Sequence, residues 1–448
     1  MITARAFAGK KYAVYGLARS GLATSAALIA SGADVTAWDA KQEARQRFLS
    51  LAPERLNEAS SGKSMISSRS RTKIADLDEA DLSEFDSLIV TPGLPLNRHP
   101  IARRASEAGL EIIGDIELFA RARPELPRHK VVGITGTNGK STTTALIHHI
   151  LENAGVPTTM GGNIGLPILA QDPLAGGGVY VLELSSYQID LTQSLDCDVA
   201  VLLNVTPDHL DRYDGFEAYR ASKMRLFELQ SPGHAAVFTG EDEFGRTSYQ
   251  DRLTRVGEST LIAVRDDAVN QDHWPALQGP HNAQNAAAAI AVCKVLGIGD
   301  GEVELGLRSY PGLPHRMERI REREGVLFVN DSKATNPTAT APALAAFGRI
   351  RWICGGQAKT DNLGECAPFL GHVAKAYTIG EAGELFARLL SPQVRVAECQ
   401  TLECAVEAAA AEAERGDTVL LSPACASFDQ FRDFEDRGDQ FRALVRAL

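Results

Sequence analysis

A glycine-rich segment between an apolar run and a helical pattern carries the strongest chemical signal in the sequence. Residues 131–144 read VVGITGTNGKSTTT. Glycines let backbone N–H groups close around phosphate oxygens, a helix N-terminus adds partial positive charge, and Lys140 can reach the terminal phosphates. A hydroxyl just after this lysine can ligate magnesium. Ile134 replaces the first glycine of the strict phosphate-loop pattern, which predicts a shorter loop. Its residues are Gly136, Thr137, Asn138, Gly139, Lys140, Ser141 and Thr142.

Candidate metal-site residues follow two other apolar strands. Glu183 ends one strand, and the segment NVTPDHLDR at 204–212 places His209 among carboxylates after the next. Because the carboxyl ends of parallel strands share one edge of a sheet, both are expected near the phosphate loop, where magnesium would need oxygen ligands. The alternatives are an acid that only caps the turn at Ser185 and Ser186, and a structural histidine.

Two helical patterns farther along contain further polar candidates. On spacing alone, Lys223 in the amphipathic segment 216–229 is a surface lysine. Asn282 and Asn285 open an alanine-rich helix at 281–290. They are either helix-capping amides or the donors and acceptors of an adenine-reading site, since asparagine carries both.

Polar loops follow apolar strands in the last third of the sequence. Charged and hydroxyl residues cluster at 314–318, 330–336, 354–360 and 422–431. A plain polar loop is an equally good interpretation of any one of them. Their expected convergence on one edge of a sheet favours a binding site.

A glycine turn near the amino terminus suggests a second nucleotide site. The segment from Gly16 to Gly21 follows a strand, and Asp39 ends the next one. This spacing resembles the dinucleotide fingerprint, but Ala18 replaces its second glycine, which disfavours a nicotinamide or flavin cofactor. Binding of some diphosphate is still expected. The alternatives are a purely structural turn and a dehydrogenase that rests on this turn alone.

Short β-branched runs alternate with helical patterns along the chain, which predicts mostly parallel sheets wound with helices, an α/β fold. Strands are predicted at 11–15, 131–135, 179–183, 199–204, 326–330 and 418–422. Proline-punctuated segments at 121–130 and 310–315 separate three units. The predicted domains are a Rossmann-like N-terminal domain (1–118), a phosphate-loop central domain (119–312) and a Rossmann-like C-terminal domain (313–448).

The amino-acid composition and net charge disfavour several classes of function. The 448 residues are 44% hydrophobic and 23% charged, as in globular proteins with several cores. The 57 acidic and 46 basic residues give a net charge of −11, which disfavours nucleic acid as a partner. Apolar runs are too short to span a bilayer and no signal-peptide pattern is seen, so no membrane insertion and a cytoplasmic location are expected. Seven cysteines without a C-x-x-C pair suggest reduced, mostly buried thiols.

Taken together, the motifs resemble the Mur ligase superfamily, ATP-dependent amide-forming enzymes of bacterial cell-wall synthesis. The resemblance spans the chain and includes GNIG at 162–165 and HNAQN at 281–285. The segments GDIELF at 114–119 and LSPACASFDQF at 421–431 are most similar to the branch that joins D-glutamate to UDP-N-acetylmuramoyl-L-alanine. The resemblance implies a monomeric cytoplasmic ligase of peptidoglycan synthesis, and with it a contribution to cell shape, the cell cycle and cell division.

The resemblance also implies what each candidate residue does. Lys140, His209 and Lys223 would be the catalytic residues. ATP would contact the phosphate loop together with Asn282, Asn285, Arg316 and Asp331. Two magnesium ions would be held by Ser141, Glu183, His209 and a carbamylated Lys223, against the surface interpretation of that lysine. UDP-sugar would contact Arg19, Ser20, Asp39, Gly93, Asn163 and Ser185. D-Glutamate would contact Lys333, Thr335, Lys359, Ser427 and Phe434.

The implied mechanism proceeds through an acyl phosphate. The alanine carboxylate of the substrate attacks the γ-phosphorus of ATP, and the amine of D-glutamate then displaces phosphate from the acyl carbon. Two other interpretations stay open. Another Mur ligase or folylpolyglutamate synthase would share the central ATP site, and a nucleotide-dependent switch would bind ATP without forming a bond to a substrate.

Overall fold

The computed structural model describes residues 1–51, 72–208, 211–239, 261–264 and 270–448, with 261–264 described as backbone only. These residues contain three sheets, each mostly parallel and wound with helices, which confirms the predicted fold class. By their contacts they form two compact units, Met1–Val269 with Pro280–Leu307, and Asn270–Gly279 with Arg308–Leu448. The first two sheets belong to the first unit and the third sheet to the second.

The first sheet is parallel with strand order β3-β2-β1-β4-β5. Its strands are β1 (Lys11–Tyr15), β2 (Asp34–Trp38), β3 (Thr72–Ile74), β4 (Ser87–Val90) and β5 (Ile112–Ile113). Its helices are α1 (Arg19–Ala30), α2 (Gln42–Ser50), α3 (Pro100–Glu107) and α4 (Asp115–Ala122), with 3-10 turns at Arg5–Phe7, Leu82–Glu84 and Arg123–Glu125. The strand order reverses between β1 and β4, the place where such sheets bind ligands.

The second sheet is also parallel, with order β11-β10-β9-β6-β8-β7. Its strands are β6 (His129–Thr135), β7 (Thr158–Gly162), β8 (Gly178–Glu183), β9 (Val199–Leu202), β10 (Ala235–Thr239) and β11 (Leu261–Val264). The helices are α5 (Lys140–Asn153), α6 (Ser186–Asp190), α7 (Gly215–Glu228), α8 (Pro280–Leu296) and α9 (Asp300–Ser309), with a 3-10 turn at Ile168–Ala170. Strand β6 therefore lies between β8 and β9.

The third sheet has order β12-β13-β17-β14-β15-β16, antiparallel only between its first two strands. Its strands are β12 (Glu318–Arg323), β13 (Val326–Asn330), β14 (Ile350–Gly355), β15 (Val373–Ile379), β16 (Val396–Gln400) and β17 (Thr418–Leu421). The helices are α10 (Pro337–Ala345), α11 (Gly383–Leu390), α12 (Leu402–Glu412) and α13 (Phe434–Ala447), with a 3-10 helix at Gly364–His372.

The central strands of the third sheet are buried on both faces. All residues of β14 are buried, and its neighbours Trp352 and Ile353 belong to two separate apolar clusters. Helices therefore cover both sides of the sheet, and the strand reads as a continuous apolar run for this reason. The predicted strands agree with the observed ones to within two residues at each end.

The cysteines are free thiols, as their spacing predicted, and all of the seven but Cys404 are buried. Within the described ranges, none of the helices has the length and apolar character needed to cross a bilayer.

Helix α4 runs through the predicted boundary at 118/119, which stays a prediction. Its Glu117, in the GDIELF segment, is 1% exposed and accepts hydrogen bonds from the backbone N–H groups of Gln193 (2.7 Å) and Ser194 (2.8 Å). The Ser194 hydroxyl (2.8 Å) and Arg121 Nε (2.8 Å) also donate to it. One carboxylate thus joins α4 to the segment that precedes β9.

We expect Glu117→Ala to destabilise the protein by about 3 kcal/mol, because it leaves buried donors without an acceptor. The measurement is the midpoint of urea-induced unfolding. Glu107→Ala is the matched control, since Glu107 makes only an exposed 3.6 Å ion pair with Arg103 on α3. Equal midpoints for the two variants would show that Glu117 does not hold α4 in place.

Candidate active site

The phosphate loop lies between the end of β6 at Thr135 and the start of α5 at Lys140, as the sequence predicted. Gly136 and Gly139 have positive φ values of 151° and 84°, which favour glycine. A Cβ atom on Gly139 would overlap the side-chain oxygen of Asn285. The N-cap of α5 is Gly139, which has no side chain to cap the helix, and a helix N-terminus of this kind suits an anion.

The segment after β9 holds this loop in place. The backbone carbonyl of Asn204 accepts from Thr137 N at 2.8 Å, and its side-chain oxygen accepts from Asn138 N at 2.9 Å. The Thr137 hydroxyl donates to the carbonyl of Thr206 at 3.2 Å. The ends of β6 and β9 therefore meet at one edge, as parallel neighbours should.

Two lysines donate to the same carbonyl oxygen in the loop. Lys140 Nζ lies 2.8 Å from the oxygen of Gly136 and 2.8 Å from that of Thr137. Lys223 Nζ lies 2.9 Å from the Gly136 oxygen and 4.5 Å from the ring centre of Tyr219. Burial, followed by the positive charge of Lys140, lowers the pKa of Lys223 to about 7.

The interpretation of Lys223 as a surface residue is wrong, because its side chain is only 1% exposed. Helix α7 buries Tyr219, Leu226 and Phe227, which stand four residues before and three and four residues after Lys223. This spacing puts the lysine on the inward face of the helix. The helical spacing of the apolar residues was therefore the signal that could have located it.

Glu183 ends β8 beside the loop and is 2% exposed. Its Oε1 accepts from Asn163 Nδ2 at 3.1 Å, whereas its buried Oε2 has no hydrogen-bond partner among the described residues. The cap of α6 is made instead by Ser185, whose hydroxyl accepts from Gln188 N at 3.3 Å, so Glu183 is not the capping acid. A buried carboxylate oxygen without a donor suits a cation.

Of the remaining predicted metal ligands, the structure describes Ser141 but not His209. Ser141 is buried in the first turn of α5, and Thr142 follows it half-buried. His209 lies outside the described residues. In the part of the chain that the structure describes, no group of three or more histidine, cysteine or acidic side chains could hold a metal ion by itself.

Both predicted asparagines of α8 are buried and face the phosphate-loop helix. Asn285 Nδ2 donates to Asn282 Oδ1 at 3.2 Å, and the hydroxyl of Thr143 on α5 donates to Asn285 Oδ1 at 3.2 Å. Asn285 therefore links α8 to α5 and does not act as a capping amide. Whether the pair reads adenine stays a prediction.

The amino-terminal candidates surround the glycine turn after β1. Gly16 has φ 96°, and a Cβ atom on it would lie 2.5 Å from the hydroxyl of Thr91, at the end of β4. Asp39 accepts from the backbone N–H groups of Leu17 (2.7 Å) and Lys41 (2.8 Å), so it holds this turn. Three more predicted residues line the same part of the unit: half-buried Ser20 in the first turn of α1, Arg19, which donates to the Gly165 carbonyl at 2.9 Å, and exposed Gly93.

The polar loops of the third sheet converge after the adjacent strands β13, β17 and β14. Lys333 Nζ lies 3.8 Å from the ring centre of Phe434, the first residue of α13. Lys359 Nζ donates to the hydroxyl of Thr335 at 3.2 Å. Ser427 is buried in the loop after β17. The structure thus brings together the residues predicted to contact D-glutamate, whose contact with that ligand stays a prediction.

Asp331 accepts a hydrogen bond from the turn at residues 315–317, whose backbone is strained. It accepts from Met317 N at 3.2 Å and from the Ser422 hydroxyl at 2.8 Å, and burial raises its pKa to about 7. His315 and Met317 have left-handed φ values of 61° and 47°, on either side of Arg316. Such strain clusters at functional sites, and here it lies on both sides of Arg316.

Arg437 is a residue of this site that sequence reasoning missed. It is fully buried and donates to the Ser332 hydroxyl (3.0 Å), the Ser332 carbonyl (2.9 Å) and the Cys425 carbonyl (3.1 Å). Burial lowers its pKa to about 10. The side chain joins the loops after β13 and β17. Phe441 and Val445 are buried four and eight residues after Arg437, so the helical spacing that could have located Lys223 was the signal here too.

We expect Lys223→Met to stabilise the protein most at low pH. Below about pH 7 the native protein must bury a protonated amine, whereas the unfolded lysine titrates near 10.5, so the penalty fades as the pH rises from 7 to 10.5. In carbon dioxide-free buffer, the urea midpoint of Lys223→Met should therefore exceed that of the wild type at pH 6. The two midpoints should approach each other by pH 10. Lys294→Met, at an exposed lysine on α8, is the control. A difference that does not change with pH would contradict the buried cation.

Solved structures share the fold at low sequence identity. The MurF ligase from Thermotoga maritima in complex with ADP aligns with a TM-score of 0.59 at 17% identity, over 99% of this chain and 97% of that one. UDP-N-acetylmuramate-alanine ligase MurC from the same organism aligns with a TM-score of 0.58 at 17% identity, over 98% and 99%.

Curated relatives match at much higher identity. UDP-N-acetylmuramoylalanine--D-glutamate ligase from Novosphingobium aromaticivorans is 57% identical over 100% of this chain and 97% of its own length. The protein of the same name from Sphingopyxis alaskensis is 56% identical over the whole of both chains. Residues 134–293 match the Mur ligase middle domain, and residues 315–425 match the Mur ligase glutamate ligase domain. The chain therefore belongs to the Mur ligase family, with full-length relatives named UDP-N-acetylmuramoylalanine--D-glutamate ligase.

Proposed function

We propose that this ligase joins D-glutamate to UDP-N-acetylmuramoyl-L-alanine at the expense of ATP, in the cytoplasmic synthesis of peptidoglycan precursors. The observation that carries the proposal is the full-length identity of 57% with a relative of that activity's name. The geometry of the phosphate loop supports ATP as the energy source. Each part of the proposed reaction has residues in this chain that suit it.

The phosphate loop suits the triphosphate of ATP. The N-terminus of α5, preceded by Gly139, offers the positive end of the helix dipole. Lys140 already lies against the loop through Gly136 and Thr137, where it can exchange carbonyl oxygens for phosphate oxygens. Asn282 and Asn285 on the adjacent helix α8 would contact the nucleoside, with Arg316 and Asp331 as further nucleotide contacts.

Magnesium fits the side chains next to this loop. The orphaned Oε2 of Glu183 is a hard anionic oxygen of the kind that magnesium prefers, and the hydroxyl of Ser141 is a second oxygen ligand. His209 and a modified Lys223 would complete the sites for two ions. Bound magnesium would offset the negative charge of the transferring phosphoryl group.

Carbamylation of Lys223 would remove an electrostatic conflict. Only a neutral amine reacts with carbon dioxide, and the pKa of about 7 leaves much of this amine neutral at physiological pH. The new N–C bond to carbon dioxide releases one proton and yields a carbamate anion. An anion there would attract Lys140, whereas an ammonium group repels it across the shared Gly136 oxygen.

The ends of the first and third sheets suit the two other substrates. Arg19 and Ser20 stand at the N-terminus of α1, which favours a diphosphate, and Asp39 holds the turn that leads into it. Gly93 would also face the uridine diphosphate and Asn163 the muramoyl side, with Ser185 as a further contact to the UDP-sugar. At the third sheet, Lys333, Lys359, Thr335 and Ser427, with Phe434, offer charges and hydroxyls for the two carboxylates of D-glutamate.

The proposed chemistry has two transfers. A carboxylate oxygen of the substrate's alanine forms a bond to the γ-phosphorus as ADP leaves, while Lys140 lies close enough to the phosphate loop to balance charge. The amine of D-glutamate then forms a bond to the acyl carbon, phosphate leaves, and the amine loses a proton to solvent.

Phosphate release tests the proposal. The purified protein is given ATP and magnesium with UDP-N-acetylmuramoyl-L-alanine and D-glutamate, and each substrate is then omitted. We expect release that requires both substrates, and an amide product found by mass spectrometry. Release with a different carboxylate and amino acid would indicate another Mur ligase or folylpolyglutamate synthase. ATP hydrolysis that ignores every substrate pair would indicate a nucleotide-dependent switch.

We expect Lys223→Ala to lower turnover by at least about a hundredfold, since it removes a group at the phosphoryl-transfer site. Added formate or acetate should restore part of this loss by replacing the carbamate oxygens. Lys294→Ala serves as the control for a lysine on the surface. Wild-type turnover in Lys223→Ala, or a loss that no small carboxylate relieves, would argue against a carbamate there.

A further inference from the structure

Arg212 connects the segment after β9 to the turn after β4 of the first sheet. Its Nη2 donates to the carbonyls of Leu94 (2.8 Å) and Pro92 (3.4 Å), and its Nη1 donates to the carbonyl of Gly93 (3.3 Å). One guanidinium thus binds three consecutive carbonyl oxygens. The planar, multi-donor geometry of arginine allows this, and a lysine could not reproduce it.

Neighbouring contacts strengthen the same junction. Asn97 Nδ2 and Arg98 Nη2 both donate to the carbonyl of Asp211, at 3.0 Å and 2.5 Å. Arg98 also lies 3.5 Å from the Asp211 carboxylate. Residues 92–98 and 211–212 are therefore joined by donors from both sides.

An aromatic stack holds the guanidinium from the side of the central sheet. The guanidinium carbon of Arg212 lies 4.3 Å from the ring centre of Tyr187, a cation–π contact. The rings of Tyr187 and Tyr213 stack with centres 5.9 Å apart and planes 11° apart. Tyr187 belongs to α6, which begins three residues after Glu183.

The stack also reaches the element that carries Lys223. The Tyr213 hydroxyl donates to Asp190 at 2.8 Å and lies 3.3 Å from the hydroxyl of Ser222. Ser222 in turn donates to the carbonyl of Ser186 at 3.1 Å. Through Tyr187 and Tyr213, Arg212 therefore contacts both elements that position the proposed metal ligands.

The turn that Arg212 holds is accessible to a ligand. Gly93 is exposed, and a Cβ atom on it would meet no protein atom within 4 Å. The turn follows β4, next to β1, at the point where the strand order of the first sheet reverses. Ligands of such sheets bind in the crevice at that point.

We propose that Arg212 is a positioning residue that fixes the 92–94 turn, and with it the bound nucleotide-sugar, relative to the phosphoryl-transfer site. The proposal rests on the proposed function, because it assigns the nucleotide-sugar to the first sheet. It predicts that Arg212 affects the nucleotide-sugar and not ATP, since the phosphate loop has its own contacts to Asn204 and Thr206.

The test combines direct binding with kinetics. For Arg212→Ala we expect calorimetry to give a Kd for UDP-N-acetylmuramoyl-L-alanine about tenfold higher, and its KM to rise alike. The loss of hydrogen bonds from a charged donor, together with a half-buried cation–π contact, corresponds to about a tenfold change in affinity. The KM for ATP should stay within about twofold. Tyr187→Ala should reproduce this pattern, whereas Tyr187→Phe keeps the ring and should resemble the wild type.

A double variant and two further substitutions distinguish a positioning role of Arg212 from a general contribution to stability. The Arg212→Ala, Tyr187→Ala double variant should be no worse than Arg212→Ala, since contacting residues that act together are not additive. Arg212→Lys should regain little. Arg220→Ala is the matched control, because that guanidinium lies 5.8 Å from the Phe216 ring and pairs with Glu217 within its own helix.

Each other outcome overturns the inference. An unchanged Kd for the nucleotide-sugar, equal increases in both KM values, additive losses in the double variant, or a lower melting temperature alone would show that Arg212 is only structural. If wild-type protein binds the nucleotide-sugar but forms no amide, the proposed function fails while the binding comparison still tests Arg212. If it binds no nucleotide-sugar, both fail.

Discussion

Two lysine amines donate to one carbonyl oxygen, that of Gly136, and the rest of the central site depends on this arrangement. Lys140 and Lys223 reach it from different helices, α5 and α7, at 2.8 and 2.9 Å. Like charges this close, one of them buried, are stable together only if one of them gives up its proton or an anion comes between them. Under the proposed function, ATP phosphates, magnesium-bound carboxylates or a lysine carbamate would supply negative charge here. The arrangement is therefore compatible with the ligands of the proposed reaction.

Parallel strands explain why the other residues gather around it. Strands β8 and β9 flank β6, so Glu183, Asn204 and the phosphate loop end at one edge of the sheet. The same rule operates at the third sheet, where loops after β13, β17 and β14 meet and Arg437 binds two of them from beneath. It operates again at the first sheet, where Gly16 and Thr91 pack together after β1 and β4. Backbone topology places the loops, and buried polar side chains then fix them.

Sequence reasoning located the strands and the loops because apolar runs, glycines and proline segments have short-range physical causes. The phosphate loop, Glu183 and the polar segments of the third sheet were found in this way. Lys223 was misplaced because its charge outweighed the helical spacing of Tyr219 and Phe227 around it. Arg437 was overlooked in the same way, since Phe441 and Val445 share its buried helical face. Arg212 was missed for another reason, because its partners are carbonyl groups more than a hundred residues away in sequence. Such contacts leave no pattern in composition or period.

With a pKa of about 7, much of the Lys223 amine beside Lys140 is neutral at physiological pH and should react with carbon dioxide. Carbon-13 NMR of the protein equilibrated with labelled bicarbonate detects the product of this reaction. We predict one carbamate resonance that disappears in Lys223→Met and persists in Lys294→Met. A wild-type spectrum without that resonance, or one that keeps it in Lys223→Met, would contradict this expectation.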